Sequence, residues 1–264
     1  MRYLSSVCLV AMVCLLPACA TPPIDIAQRV SALLPAGAIL LGEQHDAPDH
    51  HALERAVVLD LARRQQLAAL VMEMAEQGHS TAGLARNTSE AEVQSALQWN
   101  EAGWPWKDYG PVVMAAVQNG LPVLGGNLPR AAMRAAMANE TLDSRLSADR
   151  LARQREAIRT GHCMMLPESQ IAPMTRIQIA RDATMADVLV NARQSGKTVL
   201  LVAGGGHVLR DLGVPVHLPA SIDVKVVRVL AGLTEPTQAA DQDAIWETPR
   251  IAPRDHCAEF KQRM

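Results

Sequence analysis

The chain has 264 residues, of which 49% are hydrophobic and only 3% aromatic, and its formal net charge is −2. This near balance of charge argues against a nucleic-acid partner, because such proteins usually present a basic face. The length suffices for one α/β domain with a full core, which Ala, Leu, Val and Met must build because aromatic residues are scarce.

The first eighteen residues have the pattern of a bacterial signal peptide. Arg2 supplies the positive charge, and the apolar run from Val7 to Leu16 is too short to span a bilayer. The run ends in Leu-Pro-Ala before Cys19, as in a lipobox, so residues 1–18 are predicted to be removed and Cys19 to carry lipid. Ala20 at the next position is typical of sorting to the outer membrane in Gram-negative bacteria. The alternative is a plain signal peptide cut near Ala20.

Apolar, β-branched segments predict five strands. Each is short and nearly continuous, as in a parallel sheet that helices cover on both faces. The five segments are 38–41, 68–73, 122–125, 198–203 and 224–230.

Helical patterns lie between the predicted strands. The first has Leu53, Val57 and Leu61 on one face after a possible Asp46 cap, with Pro48 in its first turn. Further helices are predicted at 107–119, 131–139, 148–160 and 173–194.

The order of these elements predicts an α/β fold with a mostly parallel, doubly wound sheet. We expect a single domain over residues 19–264, with a helical insertion at about 129–195 that caps one edge of the sheet. The tail beyond Gly232 is rich in Pro, Asp and Gln and is expected to wrap the surface.

Polar side chains follow four of the predicted strands. A Gly-x-x-His motif ending at His45 follows the first strand, and another ending at His207 follows the fourth. Glu43 lies inside the first motif, Glu73 ends the second strand, and Asn127 follows the third. Because the carboxyl ends of parallel strands share one edge, where ligands bind, we expect these side chains to meet there.

Several kinds of site fit this set of side chains. Two histidines and two carboxylates suit a divalent metal ion, or an acid–base pair in which a glutamate orients a histidine. They also suit a purely structural role as caps and buried hydrogen-bond partners. The repeated motif favours a functional cleft. The glycine run at 204–206 is no P-loop, because no Lys-Ser/Thr follows it, and no Gly-x-Ser-x-Gly of serine hydrolases occurs.

Two further segments have side chains that suit a ligand. Trp104, Trp106 and Tyr109 lie just before a helix and suit the walls of a site for a flat ligand, or else they anchor the helix. Arg181 lies in a predicted helix and suits the binding of a carboxylate, or else it pairs with Asp182.

Two cysteines remain once the signal peptide is removed and Cys19 is lipidated. In an oxidising compartment Cys163 and Cys257 predict one disulfide. The alternative is two separate free thiols.

In combination these motifs resemble the ChaN family of haem-binding lipoproteins. The likeness rests on Gly-Glu-x-His at 42–45, Tyr-x-Pro at 109–111, Asn-Leu-Pro at 127–129, the block at 178–186 and the second Gly-x-x-His, in matching order. It covers roughly residues 30–230. The resemblance implies a periplasm-facing outer-membrane lipoprotein in haem or iron acquisition, and dimers that enclose paired haems.

The resemblance also implies a tyrosine bound to the haem iron, assisted by histidine. Tyr109 is the only tyrosine left after cleavage, so it becomes the candidate ligand. His162 is the substitute if Tyr109 does not occupy the position of the family's ligand.

The wider superfamily resembles Tiki/TraB proteases and erythromycin-esterase-like enzymes, which keeps a hydrolase open as the alternative function. The two functions would use different residues. Haem binding would use Tyr109, Trp104, Trp106, His162 and Arg181. Hydrolysis, with or without a divalent metal, would use Glu43, His45, Glu73 and His207.

Overall fold

A six-stranded parallel sheet forms the centre of the molecule. The structure is a computed structural model that describes residues 25–232 and 242–262, so the predicted signal peptide and Cys19 lie outside the described residues. The strand order is β3-β2-β4-β1-β5-β6, and every neighbouring pair is parallel. The predicted α/β class is therefore confirmed. The strands are β1 (Ala38–Glu43), β2 (Leu67–Glu76), β3 (Val123–Asn127), β4 (Thr198–Gly204), β5 (Val224–Ala231) and β6 (Ala244–Thr248).

The first five strands match the five predicted segments, but β6 was missed. The prediction that the tail only wraps the surface is wrong here, because β6 extends the sheet by pairing with β5. Trp246 in this strand is only 3% exposed and belongs to the hydrophobic core. β6 has only five residues and lies close to a segment rich in Pro, Asp and Gln. Its apolar pattern was therefore too weak to predict a strand.

Eight α-helices lie within the described ranges. Five correspond to predicted helices, whereas α1, α3 and α8 were not predicted. Their bounds are α1 (Ile26–Leu33), α2 (Pro48–Arg63), α3 (Glu90–Leu97), α4 (Trp106–Gln118), α5 (Met133–Ala138), α6 (Ala148–Gly161), α7 (Glu168–Asn191) and α8 (His256–Gln262).

The start of α2 differs from its prediction in one respect. Pro48 occupies the first turn as expected, because its missing N–H costs nothing there. The cap residue, however, is Ala47, and no side chain caps this helix end. The predicted Asp46 cap is therefore wrong.

Helices cover both faces of the sheet. One face packs against α1, α2 and α4, and Leu53, Val57 and Leu61 lie in this core as predicted. The other face packs against α7, through Met185 and Leu189 among others. The segment predicted as a helical insertion contains α5, α6 and α7. Its longest helix, α7, packs on the sheet face beside β2 and the edge strand β3.

The strand order brings three carboxyl ends together. β4 lies between β1 and β2, and Glu43 at the end of β1 pairs in register with Gly204 at the end of β4. Side chains that leave these three strand ends therefore enter one crevice, as expected for an open α/β sheet.

No helix within residues 25–232 and 242–262 combines the length and the apolar character needed to cross a membrane.

Candidate functional site

A cleft of about 910 Å³ opens at this carboxyl edge of the sheet. Its size falls within the range of about 300–1,000 Å³ that is usual for small-molecule sites. The ends of β1 and β4, the start of α4, α7 and the C-terminal segment all contribute to its lining, which includes Glu43, His45, Trp104, Tyr109, Gln178 and His207.

His45 is the most accessible of the predicted catalytic side chains. Its Nδ1 lies 2.7 Å from Glu43 Oε1, and 40% of its side chain is exposed. The ring of Trp104 contacts it edge-on, at 4.9 Å between ring centroids. The other ring nitrogen passes over Gly204, where an added Cβ would lie 2.7 Å from Nε2, so a side chain at this position would displace the imidazole.

Glu43 connects His45 to the protein interior. The Tyr109 hydroxyl donates a hydrogen bond of 2.8 Å to Glu43 Oε1, and His51 Nε2 lies 3.3 Å from Oε2. Burial alone would raise the pKa of Glu43, but hydrogen bonds from His45 and His51 outweigh burial and hold the pKa low. Glu43 is therefore an anion that fixes the orientation of its neighbours.

Tyr109 and His51 are both buried beneath the cleft. Tyr109 is 1% exposed, and burial together with the negative charge of Glu43 raises the pKa of its phenol strongly, so it stays protonated. His51 is 7% exposed and packs against the Tyr109 ring.

A second charged group lies beside the first. Glu73 Oε2 accepts the Gly204 N–H at 2.7 Å, and Glu73 Oε1 lies 3.2 Å from His207 Nε2. The other nitrogen of His207 lies 2.5 Å from Asp182 Oδ1. Burial would lower the pKa of His207, but the two carboxylates outweigh it and raise the pKa to about 10. At neutral pH His207 is a buried imidazolium between two carboxylates.

Behind this edge lies a buried group of polar atoms whose hydrogen bonding is incomplete. Glu54 is fully buried, and among the described residues neither of its carboxyl oxygens has a well-aligned hydrogen-bond partner, nor does Nε2 of the buried His50. Burial and the charge of Glu43 raise the pKa of Glu54 well above its usual value. Glu54 therefore keeps its proton to a higher pH than an exposed glutamate does.

Glu54→Gln is expected to make the stability of the protein less sensitive to pH. The folded-state pKa of Glu54 is raised above the reference value of 4.5. The folded protein therefore holds this proton more tightly than the unfolded chain, and the protein loses stability as pH rises from 4.5 towards the folded pKa. The slope is at most about 1.4 kcal/mol per pH unit. Urea unfolding of both proteins at about pH 5 and about pH 8 measures the difference, and equal pH sensitivity would contradict the assignment.

The predicted residues divide into those that reach the cleft and those that do not. Glu43, His45, Glu73 and His207 come together as predicted, although β2 continues past Glu73 to Glu76. Asn127 supports this edge, because its side-chain amide donates to the Glu73 carbonyl at 2.9 Å.

Trp104 lines the cleft, but Trp106 does not. The ring of Trp106 is buried against Trp99, and its indole N–H donates to Glu90 at 2.8 Å. The neighbouring tryptophans therefore serve the two roles that the sequence left open, one as a wall and one as an anchor of α4.

On α7 the cleft receives Gln178 rather than Arg181. Gln178 and Asp182 are four residues apart, so they share a helix face and both contact His207. Arg181 is the residue before Asp182, so its side chain leaves the helix about 100° away around the helix axis. It does not line the cleft. The prediction that Arg181 binds a carboxylate therefore stays a prediction, although the sequence already placed Gln178 and Asp182 in the same block.

His162 lies outside the main cleft. It follows α6, with Nδ1 at 2.8 Å from the Ile158 carbonyl, and lines a smaller pocket of about 270 Å³ that shares Gln178 and Gly206 with the cleft.

The expected divalent metal site has no support. Within the described ranges, no group of three or more His, Cys, Asp or Glu side chains is arranged to hold a metal ion. The carboxylates of the cleft instead contact the histidines, the Tyr109 hydroxyl and the Gly204 N–H.

Comparisons with known proteins identify relatives of the whole fold. A family model described as haem-binding uptake, Tiki superfamily, ChaN matches residues 30–218. The chain is similar to a structure described as cofacial haem binding to ChaN of Campylobacter jejuni, with 26% identity and a TM-score of 0.69 over 84% of this chain and 91% of that chain. A comparison with curated protein sequences finds no match.

Two other solved structures are more distant. The type III effector HopBA1 has 14% identity and a TM-score of 0.46, over 81% of this chain and 88% of its own. The RRSP effector domain of a Vibrio vulnificus MARTX toxin has 12% identity and a TM-score of 0.44, over 84% of this chain and 40% of its own.

Proposed function

Because the chain belongs to the ChaN family of the Tiki superfamily, whose description is haem-binding uptake, we propose that it binds haem in the cleft at the carboxyl edge of its sheet. The observation that carries this proposal is an exposed imidazole, His45, held by a buried carboxylate and flanked by an indole in an open cleft. Bound haem would supply an iron centre and a flat apolar ring.

The side chains of the cleft fit such a group. A histidine that binds a metal usually gives its other ring nitrogen to a carboxylate, which fixes the ring and increases its basicity. Glu43 holds Nδ1 of His45 in this way, so Nε2, which lies over Gly204 and 3.9 Å from Glu73 Oε2, would be the iron-binding atom. Trp104 would cover part of the ring face.

Tyr109 is the second candidate for the iron ligand. Its hydroxyl is buried and donates to Glu43, so it would reach iron only after leaving this hydrogen bond and losing a proton that its raised pKa retains. For this reason we place His45 ahead of Tyr109, and variants of the two residues separate them.

The cellular role that we propose combines this site with the N-terminal sequence. A chain lipidated at Cys19 would be anchored to the outer membrane, face the periplasm and take part in haem or iron acquisition. An open cleft leaves one side of a bound haem uncovered. A second copy of the chain would cover it, in keeping with the cofacial haems of the Campylobacter protein.

The alternative function, hydrolysis, has less support from the geometry. His207 holds its proton at neutral pH, so it is a poor general base. Among the described residues that line the cleft, none is Ser, Thr or Cys, the usual nucleophiles of covalent hydrolysis.

Titration of the purified protein with hemin tests the proposed function. We expect a saturable shift of the haem Soret band, and Trp104→Ala should weaken binding by about tenfold because an aromatic contact is lost. Arg193→Ala, an exposed residue at the opposite edge of the sheet, serves as the control and should bind like the wild type. A wild-type spectrum identical to that of free hemin would refute the proposal.

A further inference from the structure

The C-terminal segment forms one side of the cleft. Residues 249–262 follow β6, lie beyond the matched range of the family model and place Arg254, His256 and Glu259 in the lining of the cleft. We name residues 249–262 the C-terminal strap. This wall of the site is therefore supplied by a part of the chain that the family match does not include.

The middle of the strap lies on the surface of the molecule. Residues 252–257 are all exposed, so little apolar surface is buried there. His256 Nε2 lies 3.5 Å from Asp46 Oδ2, a pair with an exposed partner that contributes little to stability. The bond between Arg254 and Glu259 lies within the strap itself and does not attach it to the sheet.

A covalent bond attaches the strap to the connection between α6 and α7. Cys257 in α8 forms a disulfide with Cys163, the pair that the sequence pointed to, with a Cα–Cα distance of 5.6 Å. Cys163 lies in the short connection between α6 and α7, whereas the start of the strap is fixed by β6 at the far edge of the sheet. The strap is thus tied at both ends.

We propose that the C-terminal strap is the outer wall of the haem site and that the Cys163–Cys257 disulfide, by keeping this wall closed, slows the release of the ligand. This inference rests on the proposed function for the identity of the ligand. Without the disulfide, the exposed strap would move away from Asp46 and open the cleft.

The strap also offers a group that recognises carboxylates. Arg254 uses Nε and one terminal nitrogen to bind Glu259, which leaves further N–H donors of its guanidinium, and 52% of the side chain is exposed. At the mouth of the cleft these donors suit the carboxylates of a haem. Arg254 is therefore the residue of the strap that would distinguish hemin from its dimethyl ester, which lacks them.

The rate of hemin release tests this proposal directly. Full-length wild type and the Cys163→Ser/Cys257→Ser double variant are loaded with hemin and mixed with an excess of a haem-scavenging apoglobin. We expect release from the variant to be about tenfold faster or more, since changes at a binding site act mostly on dissociation. Thermal unfolding of both proteins checks that the fold is retained. Release rates within twofold of each other would overturn the proposal.

A second measurement needs no haem and so separates the strap from the proposed function. Dithiothreitol converts the disulfide of the apo protein to two thiols and leaves as its own cyclic disulfide. Hydrogen exchange at the peptides that contain His45 and His207 should then become several-fold faster, whereas the double variant should not respond to the reagent. Unchanged exchange in the wild type would show that the disulfide does not close the cleft. If the protein fails to bind hemin but its hydrogen exchange becomes faster on reduction, the proposed function is refuted and the role of the disulfide in closing the cleft is retained.

Arg254→Ala provides the test of carboxylate recognition. Wild type should release hemin about tenfold more slowly than hemin dimethyl ester, because charged hydrogen bonds to carboxylates are strong. The variant should release both at similar rates. If Arg254→Ala still releases hemin more slowly than the dimethyl ester by the same factor, Arg254 does not bind the haem carboxylates.

Discussion

Replacing Glu73 with Ala is expected to lower the free energy of unfolding by about 3–5 kcal/mol, because it leaves a buried charge without its partner. Glu73 accepts the Gly204 N–H and pairs with His207, and both side chains are buried. Removing the carboxylate leaves the imidazolium of His207 without this charge partner and the Gly204 N–H without its acceptor.

The effect should depend on pH in a defined direction. The pKa of His207 is raised, so its contribution is complete below the reference value of 6.5 and is lost as pH rises through about 10. The pKa of Glu73 is lowered to about 2, so its contribution is complete above 4.5 and is lost as pH falls through about 2. The pair therefore stabilises the fold most between pH 4.5 and 6.5.

Urea unfolding followed by circular dichroism at about pH 6 measures this change. Glu76→Ala is a matched control, since Glu76 ends the same strand but is partly exposed, and it should cost less than about 1 kcal/mol. A similar small loss in Glu73→Ala would mean that the buried charges do not support the sheet edge.

His45→Ala is expected to weaken hemin binding by about 100-fold, because the exposed imidazole is the proposed iron ligand. Partial desolvation would lower the pKa of His45, but hydrogen bonding to Glu43 and the charge of Glu73 outweigh it and raise the pKa. Since a histidine must lose its proton to bind iron, wild-type affinity should fall as pH falls below that pKa. Tyr109→Phe should bind hemin with similar affinity.

A histidine that lies away from the cleft serves as the control for His45→Ala. His79 lines a separate pocket between β3 and α7, so His79→Ala should bind hemin like the wild type. Undiminished binding in His45→Ala, together with loss of binding in Tyr109→Phe, would transfer the ligand role to the tyrosine.

The sequence predicted the position of the site better than the orientation of its side chains. Apolar runs place β1, β2 and β4, and the order of elements brings their carboxyl ends to one edge, so the meeting of Glu43, Glu73 and His207 followed from the pattern, although β2 runs three residues further than predicted. Such a pattern depends on backbone geometry, which local sequence largely determines.

Side-chain orientation depends on tertiary packing, which the pattern does not contain. Arg181 and Asp182 are neighbours in α7, yet only Asp182 contacts His207. His51 turns inward because the ring of Tyr109, more than fifty residues away in sequence, packs against it. The C-terminal strap reaches the cleft through β6, which was too short to recognise from its sequence.

Resonance Raman spectroscopy of the hemin complex, in its dithionite-reduced form for iron–imidazole and its ferric form for iron–phenolate, tests the central claim most directly. With isotope-labelled histidine, the proposed site predicts an iron–imidazole vibration that shifts with the label, disappears in His45→Ala and persists in Tyr109→Phe. Iron–phenolate vibrations that persist in His45→Ala and disappear in Tyr109→Phe would contradict it.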